Sequence, residues 1–167
     1  MLARPAIVLL VIAVALPIMA VRTITAGLVF FSAVYASLFV AVQIATAFAT
    51  IVSAPGRKMG AARAFDLWFA GHVPYTAWIL MLPFITAIPS AGPLDAMIVT
   101  LAVPALWSTF VMTAFCRNVL GDTPARARWR TAIHETVTLG ALTAYGLWSA
   151  GGVDAVNSYV LRMAGRI

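Results

Sequence analysis

From Ala54 to Arg130 the chain runs through a basic segment, an apolar stretch, a turn without Lys or Arg, a second apolar stretch and a second basic segment. No other feature restricts the fold so strongly. Residues 67–88 and 96–116 carry no Lys, Arg, Asp or Glu, and a helix needs roughly 20 such residues to cross a bilayer. The segment APGRKMGAARAFD at 54–66 holds Arg57, Lys58 and Arg63 against Asp66; the segment RNVLGDTPARARWR at 117–130 holds Arg117, Arg126, Arg128 and Arg130. The turn between the apolar stretches, PSAGPLD at 89–95, has neither Lys nor Arg. Basic residues favour the cytoplasmic side, so both basic segments are expected there and the turn opposite.

Composition supports the same class. Hydrophobic residues make up 63% of the chain and charged residues 10%, with a mean hydropathy of +0.99, whereas a soluble domain is about a quarter charged. The expected fold is all-α, a polytopic transmembrane helical bundle forming one domain over residues 1–167. Further spans are expected at about 5–21, 27–52 and 131–150, giving five. Residues 5–21 also suit the apolar core of a signal peptide ending near Ala20, which would leave four; an uncleaved helix is preferred, kinked or ended by Pro17. In the tail, Val153, Val156, Val160 and Met163 fall at helical spacing, which predicts a short interfacial helix. Five spans place the N-terminus in the cytoplasm and the C-terminus outside, where Arg162 and Arg166 fit the charge rule poorly. The expected location is multi-pass in a membrane, most simply a bacterial inner (plasma) membrane.

The charge of +6 and pI near 10.5 do not indicate nucleic acid, because the basic residues flank apolar stretches and form no face interleaved with aromatics. Arg57, Lys58, Arg63, Arg117, Arg126, Arg128 and Arg130 are instead candidates for docking lipid headgroups or a partner. Ser37, Ala41, Ala45 and Ala49 fall on one stripe of the second span, and Gly140 and Ala144 on one stripe of the fifth. Small stripes let helices approach closely in lipid, and packing within the chain is preferred here over a dimer seam. The expected partners are membrane lipids and other membrane subunits or a second copy. Gln43, at mid-membrane, is expected to face protein. Trp68 and Tyr75 suit an interfacial aromatic belt.

Chemistry has little to work with: five acidic residues, two histidines and the single Cys116, with no phosphate-binding loop, dinucleotide glycine pattern, metalloprotease motif or nucleophile elbow. One cysteine excludes intrachain disulfides and thiolate clusters. The candidate cofactor residues are His72 and His134. They lie at similar depth on different spans, His72 about 9 Å beyond Asp66 along a helix and His134 about 6 Å beyond Arg130. Two such imidazoles can flank a haem b iron, or with Glu135 hold a metal ion. The plainer account gives them hydrogen bonds to carbonyls or interfacial water and no cofactor, with Glu135 stabilised by a helix N-terminus and Arg130. A small transporter is a third alternative, but it needs a polar route, and Gln43 with scattered threonines supplies little of one.

Two segments resemble the bacterial branch of the Yip1-domain membrane proteins. One comprises Ala54, Pro55, Gly56, Arg57 and Lys58, then Ala61, Ala62 and Ala64, then Leu67 through Pro74. The other leads from Trp107 to Arg117, Val119, Leu120, Gly121 and Arg126. The chain departs from that pattern at Ala70 and His72, where tyrosines are usual, and at Val73, where threonine is. The resemblance covers about half the chain. It implies a five-span fold with a cytoplasmic N-terminus and a membrane-organising role without catalysis, and it assigns no catalytic residues. The leading expectation is therefore a non-enzymatic scaffold or accessory subunit.

Overall fold

The computed structural model describes residues 3–21, 24–85, 93–149, 157, 158 and 161. Six helices appear in order: α1 Ala3–Val21, α2 Ala26–Val52, α3 Ala61–Ala70, α4 Val73–Ile85, α5 Pro93–Asn118 and α6 Pro124–Ser149. The described residues contain helices and turns and no strand, so the chain is all-α. It divides into two compact units, 1–135 and 136–167. In the first, α1 packs against α2, α3 and α4, while α5 packs against α3 and α4. The described part of the second is the remainder of α6 and three tail residues. Most of the expected interfacial tail helix and residues 89–92 of the expected turn lie outside the described residues, while Pro93, Leu94 and Asp95 already belong to α5.

Among the described residues two helical segments are long and apolar enough to cross a membrane: α2 over Ala26–Val52, and α5 over Val99–Asn118. Local chemistry sets their ends. The Thr25 hydroxyl accepts the Leu28 amide at 3.3 Å and caps α2, satisfying a donor that has no partner inside the helix. Along α2 the hydroxyls of Ser37 and Thr46 donate to the Val34 and Val42 carbonyls. Such bonds hide polar groups on a helix with apolar surroundings. The backbone of α1 stays helical past Pro17 to Val21, so that proline does not end it.

The stretch expected as one span at 67–88 is two helices. After α3 the amides of Gly71 and His72 turn back to the Trp68 and Phe69 carbonyls, at 3.0 and 3.2 Å, and α4 starts afresh at Val73. Pro74 explains the restart. It disfavours helical backbone at the residue before it, and in the first turn of a helix its missing N–H removes no bond. At its far end, α4 continues through Pro83 to Ile85.

The second basic segment is also more helical than expected. Pro124 opens α6, with Thr123 accepting the Ala127 amide at 2.9 Å through its carbonyl and the Arg126 amide at 3.4 Å through its hydroxyl. Arg117 belongs to the last turn of α5. The irregular backbone between α5 and α6 is therefore short, and it docks on the loop after α2. The Lys58 amide donates to the Val119 carbonyl at 2.9 Å. Gly121 sits at φ 71° with its Cα against the Gly56 backbone, where a Cβ would overlap the Gly56 carbonyl. At the N-terminal end of α1, Arg4 pairs with Asp66 at 3.4 Å and donates to its carbonyl at 3.1 Å. The start of α1, the α2–α3 loop and the α5–α6 loop thus gather at one end of the first unit.

Candidate functional site

The break between α3 and α4 carries the chain's main buried polar group. Gly71 ends α3 under the side chain of Met112, with no room for a Cβ. Its carbonyl, freed by the break, accepts the Ser108 hydroxyl of α5 at 3.1 Å, as a buried carbonyl in apolar surroundings requires. The next carbonyl, that of His72, accepts both the amide and the hydroxyl of Thr76 at 2.9 Å. The backbone at the break is thereby satisfied, and its position points His72 into the helical packing.

His72 and His134 meet there. They are 1% and 0% exposed, and their rings lie edge to face with centroids 4.8 Å apart. Aromatic rings enclose them: Phe69 stacks on His72 at 5.2 Å, and Trp68 stands edge to face on His134 at 5.1 Å. The Nδ1 of His134 lies 3.2 Å from one oxygen of Glu135, and the Tyr75 hydroxyl donates to the other at 2.5 Å. Both oxygens of Glu135 therefore face hydrogen-bonding groups, the pattern of a carboxylate acting only as an acceptor. In that arrangement Nδ1 of His134 carries the proton and Nε2 presents its lone pair. That Nε2, both ring nitrogens of His72 and the Trp68 Nε1 have no hydrogen-bond partner. The Trp68 carbonyl, one turn back, approaches the His72 ring without reaching hydrogen-bonding geometry.

Sequence reasoning placed the two histidines at similar depth on different helices, and the structure puts them in contact. It corrects their setting. Because α6 starts at Pro124, His134 lies about 15 Å into the helix and Glu135 three turns in, beyond the reach of the N-terminal dipole. Tyr75 and His134 serve Glu135 in place of Arg130. A haem does not fit this arrangement: iron ligated from both faces separates its two imidazoles by the porphyrin plane, whereas these rings touch. Nor does a cage of protein ligands, since no group of three or more His, Cys, Asp or Glu is disposed to hold a metal among the described residues. With both rings sealed from solvent, the pair lines no open polar route.

Several other expectations change. Trp68 and Tyr75 are 0% and 3% exposed and belong to the packed interior, not to an aromatic belt. Arg130 is buried: it pairs with Asp122 at 3.0 Å and donates to the carbonyl and hydroxyl of Ser53, both at 2.9 Å. Arg57 is half-buried and donates to the Ile51 and Met59 carbonyls at 3.2 and 2.9 Å. Arg57 braces its own loop, and Arg130 ties the α5–α6 loop to the end of α2. Lys58, Arg63, Arg117, Arg126 and Arg128 are exposed and stay available for docking. Ser37, Ala41, Ala45 and Ala49 are exposed, as are Gly140 and Ala144. Inside the first unit α2 packs through a neighbouring face, Ala36, Val40, Gln43, Ala47 and Ile51, so the Ser37 stripe is not its internal seam. Gln43 is fully buried, as expected.

Sequence reasoning missed Tyr75, Ser108, Asp122 and Met112. Tyr75 follows Pro74 directly, and an interrupted helix pointing to a polar site was the available signal. No protein-family model, curated protein or solved structure matches the chain.

Proposed function

We propose that this chain is a non-enzymatic, multi-pass integral membrane protein, a scaffold or accessory subunit that works through helix contacts and a basic end. The observation that carries this reading is the outward face of its two longest apolar helices. On α2, Phe31, Leu38 and Phe48 are 69%, 65% and 66% exposed; on α5, Val99, Val103 and Phe110 are 75%, 67% and 73% exposed. Water does not tolerate contiguous apolar surface on this scale, and lipid does. The exposed stripe Ser37, Ala41, Ala45 and Ala49 runs along the same helix, giving a second helix a place for close approach.

Five crossings follow if α3 and α4 together make one, with α1, α2, α5 and α6 as the others. The gathering of the α1 start and both basic loops at one end supports a cytoplasmic N-terminus by the charge rule, in a bacterial inner membrane. The exposed Lys58, Arg63, Arg117, Arg126 and Arg128 then face anionic headgroups. The Yip1-domain resemblance is compatible with this reading, since the two segments that carry it are those that dock through Gly56 and Gly121.

The test is the mass of the particle extracted from its native membrane in mild detergent, for the natural chain and for Ala41→Leu/Ala45→Leu. A complex heavier than one chain that dissociates in the double variant supports the reading. A monodisperse single chain, or a complex indifferent to the substitution, contradicts it.

A further inference from the structure

The unpartnered nitrogens at the helix break call for a ligand. Buried polar atoms without hydrogen bonds are uncommon because each loses its solvation without replacement, and here Nε2 of His134 and both ring nitrogens of His72 belong to two buried rings in contact. We propose that His72 and His134 form a two-imidazole site for a monovalent copper ion, with Glu135 as its positioning residue.

Three observations converge on that ion. The first is the orientation of His134. A metal-binding histidine commonly gives its other ring N–H to a carboxylate, which fixes the tautomer and raises the basicity of the ligating nitrogen. Glu135 stands at Nδ1 of His134 in that role, itself held by Tyr75. The second is spacing. Imidazole nitrogens bind a first-row metal at about 2.0–2.1 Å, which at a bent N–metal–N angle of roughly 100° leaves the two ring centroids about 5 Å apart and one side of the ion open to a third donor. The observed separation is 4.8 Å. The separation that excludes a porphyrin is thus the one that two imidazoles take on a single ion bound at a bent angle.

The third is charge and ligand number. Glu135 supplies one negative charge to a sealed interior, so a monovalent cation makes the group neutral while a divalent one leaves a buried positive charge, which is costly. Structural zinc takes four ligands, and no group of three or more candidate side chains exists among the described residues. Monovalent copper accepts fewer ligands and favours imidazole and thioether donors. A thioether is close by: the Met112 sulfur lies against Gly71, next to His72.

The test uses the full chain in detergent, stripped of metal and titrated anaerobically with Cu(I) against a chromophoric Cu(I) chelator, with bound metal counted by mass spectrometry. The site predicts one Cu(I) per chain, retained in Cys116→Ser and lost in His72→Leu/His134→Leu. Glu135→Gln is expected to weaken binding about 10- to 100-fold, the usual effect of removing such a partner. Zn(II) should bind more weakly than Cu(I). Equal copper uptake by the natural chain and the double histidine variant overturns the proposal, as does tighter binding of Zn(II). Should the histidine variants fail to fold, X-ray absorption on the copper-loaded natural chain decides: imidazole scattering from two ligands supports the site, and its absence overturns it.

Discussion

Replacing Arg130 by methionine removes the one side chain that ties the α2 end, the α5–α6 loop and α6 together. Its partner Asp122 has a side chain only 2% exposed, and Arg130 itself is 10% exposed, so the substitution strands a carboxylate where water cannot reach it. It also removes the donor that serves the carbonyl and hydroxyl of Ser53. Breaking a buried ion pair on one side costs about 3–5 kcal/mol, and the lower end suits a site beside the loops. The decisive comparison is Arg130→Met/Asp122→Asn, which leaves no unpaired charge. It should lose less stability than Arg130→Met alone, even though two residues are changed. Arg130→Lys should fall between, because an ammonium keeps the charge but lacks the planar fork that reaches Asp122 and Ser53 at once. Unfolding by SDS titration in mixed micelles, followed by tryptophan fluorescence and far-UV circular dichroism, gives the free energies. If Arg130→Met stays within about 0.5 kcal/mol of the natural chain, the range of an ordinary surface change, the latch does not hold the loops. A double variant as unstable as the single would also refute the argument, since the stranded charge would then contribute nothing.

Three further substitutions test how the helices are joined. Gly121→Ala should cost about 1–3 kcal/mol in the same titration, because a left-handed backbone disfavours a side chain and the Gly56 carbonyl occupies its space; an unchanged midpoint would show that the loops do not dock this way. Trp78→Phe removes the 2.8 Å bond from the indole to the Thr100 hydroxyl and should cost about 1 kcal/mol, with Thr100→Val adding little on top; additive losses would mean the two residues act separately.

The parts of this fold that are written in local sequence were readable from it. Helices α2 and α5 lie within a few residues of the apolar runs that announce them, and Gln43 faces inward as a buried amide must. The break at Gly71 was also written locally, in a glycine and a proline three residues apart, yet a hydropathy window averages over both and returns one span. Thr123 and Pro124 form an N-cap and first-turn pair that start α6 early; the arginines after them disguised that start as a loop. Other features depend on residues far apart in the chain. Arg130 and Ser53 are 77 positions apart, and Tyr75 and Glu135 are 60 apart, and no periodicity carries such a pairing. Charge alone therefore made Arg130 look like a surface anchor. The two histidines were singled out in the sequence as a pair on different helices, but their direct contact depends on the packing of Trp68 and Phe69 around them.

The Arg130 latch also bears on how the chain is made. Its three parts leave the ribosome in the order Ser53, Asp122, Arg130, so α1 to α5 are all synthesised before the residue that fastens the loop end exists. Until then the carboxylate of Asp122 lacks its partner, and the loop after α2 can separate from the later helices. Closure therefore waits for α6, and a chain that stops short of Arg130 has most of the helices and the Gly56–Gly121 docking but keeps Asp122 as a stranded charge, a late feature for quality control to inspect.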